Sequence, residues 1–183
     1  KGVCFDTGGL DIKPSSAMLL MKKDMAGAAT AMALAQMIMA AKLPVRLRVL
    51  LPMVENAVSG DAFRPGDVYP TRKGPTVEIG NTDAEGRLIL ADALTLGDEE
   101  SPDLMFCFAT LTGAARVALG PDLPPFYTMD DGLAADLMSH GTRAQDPVWR
   151  LPLWDAYDRL LDGKVGAICN VSSGPFAGSI TAA

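Results

Sequence analysis

Short apolar runs alternate with longer apolar or amphipathic runs along this chain. The short runs are typical of buried β-strands and lie at residues 1–6, 45–54, 76–79, 104–109, 126–129 and 165–171. The longer runs predict helices and lie at residues 25–42, 88–96, 132–144 and 153–161. Because strands that alternate with helices are typical of layered sheets, the pattern predicts an α/β domain.

Two of these runs, one predicted as a strand and one as a helix, contain few polar residues. Residues 45–54 are interrupted only by two arginines and a proline, which favours a central strand of a largely parallel sheet. Residues 25–42 have almost no polar face, so we expect a helix that is buried on most sides. Asp24 directly precedes this helix, and its simplest role is that of the helix N-cap.

A polar segment at residues 81–88 (NTDAEGRL) joins a predicted strand to a predicted helix. One interpretation is structural, since Thr82 and Glu85 fit a capping box in which both side chains pair with free N–H groups at the helix start. The other is functional, because open α/β sheets place their chemistry at such strand-to-helix junctions. The segment alone leaves both interpretations open.

The composition is that of an ordinary globular protein, long enough at 183 residues for one domain with a packed core. Its formal net charge of −6 argues against a broad nucleic-acid-binding surface. No run of about 18 apolar residues occurs without polar interruption, so we expect no membrane span.

Cysteine and histidine do not indicate a site of their own. Cys4, Cys107 and Cys169 are widely separated, which favours reduced thiols in an intracellular protein. We interpret them as small core residues. The single histidine, His140, lies in a polar helical segment, which disfavours a catalytic cysteine–histidine pair.

Charged residues recur at predicted strand ends and helix starts. They are Lys1, Asp6, Lys13, Asp24, Asp83, Glu85 and Arg87. Four carboxylates gathered in one crevice would repel one another strongly unless cations neutralised them. Oxygen-rich clusters suit hard or borderline divalent ions, and shared carboxylates between two ions are a common basis for hydrolysis. Spacing alone leaves open whether these side chains converge.

Several longer motifs in this order resemble the leucyl (cytosol) aminopeptidase family of two-metal exopeptidases. The motifs lie at residues 1–10 (KGVCFDTGGL), 13–14 (KP), 21–29 (MKKDMAGAA), 59–68 (SGDAFRPGDV), 81–88, 109–114 (ATLTGA) and 149–154 (WRLPLW). The resemblance runs nearly from end to end. It implies the α/β catalytic domain of that family, a mixed, largely parallel sheet flanked by helices.

The resemblance implies a centre that holds two divalent metal ions, Mn²⁺ or Zn²⁺. Asp6 and Glu85 would bridge the two ions. Lys1, through a neutral amine, and Asp24 would complete the shell of one ion, and Asp83 that of the other. Two adjacent dications would favour the neutral form of the lysine.

The resemblance also implies roles for groups around the metals. Lys13 would stay cationic and polarise the scissile carbonyl or its oxyanion. Arg87, with the N–H groups of Gly86 and Leu88 at its helix start, would hold a bicarbonate that acts as general base. Met21, Thr110 and Leu111 match positions that contact substrate, although Met21 also fits a plain packing residue.

By this resemblance the protein releases the N-terminal residue, preferably leucine or a similar one, from peptides with a free N-terminus. A homo-hexameric, cytoplasmic enzyme is implied, without membrane or nucleic-acid partners. Because the chain opens at Lys1 and stops where a helix begins, we interpret residues 1–183 as a catalytic domain truncated at both ends, without an N-terminal domain and the C-terminal part of the catalytic domain.

Two other functions fit parts of the sequence. A non-catalytic accessory or DNA-binding protein on the same scaffold predicts basic clusters, which the acidic charge disfavours. A phosphate-binding α/β module could use the helix start at Gly86 and Arg87. It would leave four acidic residues around an anion without a purpose.

Overall fold

A computed structural model describes all residues from Lys1 to Ala183. Up to residue 111 the elements are β1 (Gly2–Asp6), α1 (Ser15–Met18), a 3₁₀ helix (Met21–Met25), α2 (Ala26–Ala40), β2 (Met53–Asn56), β3 (Val68–Pro70), β4 (Thr76–Glu78) and α3 (Gly86–Asp98). Beyond it are α4 (Gly113–Leu119), β5 (Pro125–Phe126), α5 (Asp131–Arg143), β6 (Trp149–Arg150), a second 3₁₀ helix (Asp155–Leu161), β7 (Ile168–Cys169) and α6 (Gly178–Ala182). No helix is both long and apolar enough to cross a membrane.

The chain divides into two units. The first contains residues 1–111 and 163–171, and the second contains residues 112–162 and 172–183. In the first unit β1 pairs with β2, and β4 pairs with both β3 and β7. In the second, β5 pairs with β6. Three of the four strand pairs are parallel and only β3–β4 is antiparallel, so the predicted mixed α/β fold class is confirmed.

The parallel pairs of the first unit bring the carboxyl ends of their strands together. Asp6 ends β1 opposite Asn56, which ends β2. Glu78, at the end of β4, lies opposite Cys169 of β7. The residues that follow β4 and β7 therefore emerge side by side, as do the ends of β1 and β2.

The best-buried side chains of the first unit lie next to these strand ends. Val3 of β1, Ile79 after β4 and Thr82 are fully buried, and Leu90 of α3 is nearly so. Burial of one such aliphatic side chain contributes about 1.5–3 kcal/mol, so this part of the unit is the best candidate for a rigid support.

The predicted central strand at residues 45–54 is largely wrong, and so is the predicted strand at residues 104–109. Of residues 45–54 only the last two belong to β2, and residues 104–109 form no strand. Phe108 does accept a hydrogen bond from the backbone nitrogen of Lys1, at 2.7 Å. However, residues of both segments line a cavity of about 250 Å³, and neither segment forms a regular ladder there. Val45 and Leu104 are more than half exposed, which a central strand would not be.

Helix α2 forms as predicted, but its predicted burial is wrong. Met32, Met37 and Met39 are 57%, 67% and 65% exposed. Its buried residues are the small ones, including Gly27 and Ala28, because α2 packs on β1 and the preceding 3₁₀ helix along one narrow face. Any side chain at Gly27 would overlap the carbonyl group of Phe108, so this face admits only close-packed small residues.

The second unit is built from α4, α5, α6, the short β5–β6 pair and the second 3₁₀ helix. Helix α5 confirms the predicted helix at 132–144, and it begins at a side-chain cap in which Asp130 accepts from the N–H of Leu133 at 2.9 Å. Thr112 caps α4 in the same way through the N–H of Ala114. Residues 153–161 were predicted as an amphipathic helix, but residues 155–161 form a 3₁₀ helix instead.

Candidate active site

Two lysines gather four carboxylates at the carboxyl ends of the strands in the first unit. The Nζ atom of Lys1 lies 2.9 Å from Asp24 and 3.1 Å from Glu85. The Nζ atom of Lys13 lies 3.1 Å from Asp6 and 2.5 Å from Asp83. All of these side chains are buried except that of Asp83, which is half-buried, and that of Lys13, which is slightly exposed. Six of the residues singled out in the sequence therefore converge.

The structure decides against the capping interpretations of this cluster. Asp24 lies within the 3₁₀ helix, and no side chain caps α2. No side chain caps α3 either. The hydroxyl of Thr82 instead donates to the carbonyl of Gly8 at 2.5 Å and accepts from the N–H of Asp11 at 2.9 Å. The side chains of Asp24 and Glu85 therefore do not cap helices.

The donor set fits divalent cations. Asp6, Asp83 and Glu85 each offer a carboxylate oxygen, and these oxygens lie within 4.8 Å of one another. Asp24 Oδ2, Asp83 Oδ1 and Glu85 Oε1 are buried and accept no hydrogen bond. The lysine ammonium groups form ion pairs with these oxygens, at 2.9, 3.1 and 2.5 Å. A buried cluster of carboxylate oxygens, without thiolate or imidazole ligands, suits hard or borderline dications.

The titration of the cluster reflects burial first and the neighbouring charges second. Burial acts to lower the pKa of Lys13, but the carboxylates of Asp83 and Asp6 beside it outweigh burial and raise that pKa. Burial raises the pKa of Asp83 against the pull of Lys13, and Asp6 adds to the rise. Burial likewise raises the pKa of Glu85, and Lys1 only partly opposes it. The raised pKa keeps Lys13 cationic. The two lysines do not supply enough positive charge to offset the burial of Asp83 and Glu85.

A glycine at the start of α3 makes room for Lys1. A Cβ atom at Gly86 would lie 2.6–2.8 Å from the Cε, Cδ and Nζ atoms of Lys1. Only glycine therefore lets the lysine amine reach Glu85 across the helix start. The N–H of Leu88 donates to the carbonyl of Glu85 at 3.0 Å, so it already serves the first turn.

Arg87 follows in the first turn of α3, and its Nε atom is buried without a hydrogen-bond partner. Burial lowers the pKa of Arg87, because little nearby charge compensates the lost solvation. A buried guanidinium nitrogen without a partner, at the N-terminus of a helix, favours the binding of a small anion.

Of the three positions assigned to substrate contacts, Thr110 lies at the cluster. Its hydroxyl donates to Asp24 Oδ1 at 2.9 Å, and its carbonyl accepts from Lys1 Nζ at 3.2 Å. Leu111 follows it directly and is partly buried. Met21 opens the 3₁₀ helix that carries Asp24 and is also partly buried.

Two buried asparagines complete the site, and the sequence analysis overlooked both. The amide of Asn56 donates to Asp6 at 2.9 Å, to the carbonyl of Thr82 at 3.0 Å and to Glu85 at 3.3 Å. The side chain of Asn170 bonds the backbone of residues 80–84. The only sequence signal for either asparagine is a polar residue at the end of an apolar run. Such a residue is also common in loops that contain no functional site.

Comparison with known proteins supports the motif resemblance. The sequence model of the "cytosol aminopeptidase family, catalytic domain" matches residues 1–183. A probable cytosol aminopeptidase of Chlamydia abortus is 48% identical over the whole chain, and one of Chloroherpeton thalassium is 50% identical. The chain spans 37% and 36% of the length of these two relatives.

A solved structure has the same fold. The crystal structure of a cytosol aminopeptidase from Coxiella burnetii superposes with a TM-score of 0.96 and is 56% identical in sequence. The alignment covers 99% of this chain and 40% of that one. The shared fold thus extends over nearly the whole of this chain.

Proposed function

Because this chain belongs to the cytosol aminopeptidase family, we propose that it supplies the catalytic centre of a two-metal aminopeptidase. The reaction is hydrolysis of the first peptide bond, with preference for leucine or a similar N-terminal residue. The observation that carries the proposal is the convergence of Asp6, Asp83 and Glu85 within 4.8 Å, beside Lys1 and Asp24.

Five side chains would hold two Mn²⁺ or Zn²⁺ ions. Both ions would share Asp6 and Glu85, while Lys1 and Asp24 would complete the shell of one ion and Asp83 that of the other. When bound, the ions supply Lewis acidity, which lowers the pKa of water and anchors the free α-amine of the substrate. Asn56 would orient the two shared carboxylates through its hydrogen bonds to both.

The remaining side chains would handle developing charge and protons. Lys13, which forms ion pairs with Asp6 and Asp83, would stabilise the oxyanion at the scissile carbonyl. Arg87 would hold a bicarbonate, and that anion would supply general-base chemistry at the site. Thr110 fixes Asp24 and, with Met21 and Leu111, would border the substrate.

In the full-length protein we further propose a cytoplasmic homo-hexamer that acts on peptides with a free N-terminus. Residues 1–183 would form part of its catalytic domain. The chain's net charge of −6 disfavours a role in nucleic-acid binding.

The test is hydrolysis of leucine amide by the full-length protein with added Mn²⁺ or Zn²⁺. We expect Glu85→Gln to lower kcat at least about a hundredfold, because a shared ligand of both ions loses its charge. Glu99→Gln is the matched control, since Glu99 pairs with Arg72 on the surface and should leave the rate unchanged. Full turnover by Glu85→Gln would contradict the proposal.

A further inference from the structure

The side chain of Asn170 joins two segments that are distant in sequence. Asn170 directly follows β7, and Gly80 and Asn81 lie just beyond β4, to which β7 is paired. The backbone N–H of Asn170 donates to the carbonyl of Glu78 at 3.0 Å and extends that pairing by one residue. Only 3% of Asn170 is exposed to solvent. Its amide is therefore committed to protein partners.

All the hydrogen-bonding positions of this amide serve one short segment, residues 80–84. Its Oδ1 accepts from the N–H groups of Gly80 at 2.8 Å and Asn81 at 3.3 Å. Its Nδ2 donates to the carbonyls of Asn81 at 2.7 Å and Ala84 at 3.3 Å. These residues bracket Asp83 and end directly before Glu85. No backbone element supplies these four bonds, because the β4–β7 pairing has already ended.

Close packing reinforces the hydrogen bonds. A Cβ atom at Gly80 would lie 2.6 Å from the Cγ2 atom of Val171 and 2.7 Å from the Sγ atom of Cys169. The N–H of Asp83 is also tied, since it donates to the side chain of Asn81 at 2.7 Å. The segment that carries two candidate metal ligands is thus fixed at both ends.

We propose that Asn170 is a positioning residue, which holds residues 80–85 so that Asp83 and Glu85 face the candidate metal centre. The nature of the bound cation rests on the proposed function. The four hydrogen bonds from the Asn170 side chain to residues 80–84, which we call the Asn170 clamp, do not. A carboxamide is required because it accepts and donates in one plane. Aspartate keeps only the accepting half. Alanine leaves the N–H groups of Gly80 and Asn81 and the carbonyl of Ala84 unpaired, while the carbonyl of Asn81 keeps its bond from the N–H of Ala84 at 3.2 Å.

The first measurement is Mn²⁺ affinity of the full-length protein, followed by the electron paramagnetic resonance signal of free Mn²⁺. We expect Asn170→Ala to weaken Mn²⁺ binding about 10–100-fold, which is the usual effect of removing a residue that orients metal ligands. Thr76→Ala is the matched control. It removes a 3.1 Å bond from the N–H of Ala167, which ties the same two segments at the other end of β4. This control should bind Mn²⁺ like the wild type.

The second measurement needs no metal. Amide hydrogen exchange across residues 80–86 should be faster in Asn170→Ala and Asn170→Asp than in the wild type, and unchanged in Thr76→Ala. If Asn170→Ala fails to fold, the isosteric Asn170→Asp variant decides.

Wild-type Mn²⁺ affinity in a folded Asn170 variant would overturn the proposal, as would unchanged exchange at residues 80–86. An equal loss of affinity in Thr76→Ala would also overturn it, since the effect would then be general loosening of the strand pair. Failure of the proposed function is a separate result, in which the wild-type protein binds two ions but releases no leucine. If the wild type binds no Mn²⁺, the exchange comparison decides on the Asn170 clamp.

Discussion

At the scale of single residues, the charged groups of the site were predictable and the amides behind them were not. Four carboxylates and two lysines at element ends are costly to bury together, so their recurrence in the sequence pointed to shared cations. Asn56 and Asn170 carry no charge, and asparagine is frequent in ordinary turns. Their roles depend on which backbone groups are left unpaired, which only the three-dimensional arrangement shows.

Gly86 allows a sharp test at this scale. In Gly86→Ala the new Cβ would occupy the space of the Lys1 amine, which lies at the flexible end of a side chain and can move. We expect the free energy of unfolding to change little, since alanine favours the helix, while Mn²⁺ affinity falls about 10–100-fold.

The control is Gly113→Ala, because Gly113 also opens a helix and a Cβ there meets no atom within 4 Å. Titration calorimetry with Mn²⁺ on both full-length variants gives the comparison. Equal affinities in the two variants would show that Lys1 does not need the space that Gly86 leaves.

At the scale of elements, those with a clear apolar pattern and polar flanks were predictable, and two uniformly apolar strands were not. The strand at 76–79 and the helices at 88–96 and 132–144 appear within about two residues of their expected bounds, because each has a clear apolar pattern with polar flanks. The apolar runs at 45–54 and 104–109 have the composition of central strands. Strand assignment requires a partner at ladder distance, and a cavity lies beside both segments instead.

The link between β4 and the segment before β7 should make stability depend on pH. The carboxylate of Glu78 accepts from the N–H groups of Val165 at 2.9 Å and Lys164 at 2.7 Å, and these bonds lower the pKa of Glu78. A lowered folded-state pKa means that the contribution is complete above the unfolded pKa of about 4.3. It is lost as the pH falls through the lower, folded value.

Urea unfolding of the wild type and of Glu78→Gln from pH 7 down to pH 3 measures this contribution. We expect the wild type to be the more stable at pH 7 and the difference to shrink below about pH 4.3. A difference that stays constant over the whole range would mean that the charge of Glu78 contributes nothing.

At the scale of the whole molecule, the motif resemblance predicted more of the fold and the site than composition, charge and hydrophobic periodicity did. The family comparison confirms that resemblance. The lengths of the apolar runs predicted no membrane span, and the net charge disfavoured nucleic acid. Neither could place Lys1 beside Glu85, which lies 84 positions away in the sequence. The exposure of α2 was missed because periodicity reports how apolar a helix is and not what packs against it.

Metal binding should stabilise the full-length protein. The carboxylate cluster has too little compensating charge, and ligands that bind only the folded state add about 2.7 kcal/mol at a hundredfold excess over Kd. We expect thermal unfolding to shift upward with Mn²⁺ and to return with a chelator. The shift should be absent in Glu85→Gln. An equal shift in that variant would place the stabilising ion elsewhere.

The most direct test is anomalous diffraction from crystals of the full-length protein grown with Mn²⁺. The proposal predicts two peaks about 3.5–4 Å apart, with Asp6 and Glu85 between them, Asp83 beside one, and Lys1 and Asp24 beside the other. A single peak, or peaks away from these side chains, would contradict the two-metal centre.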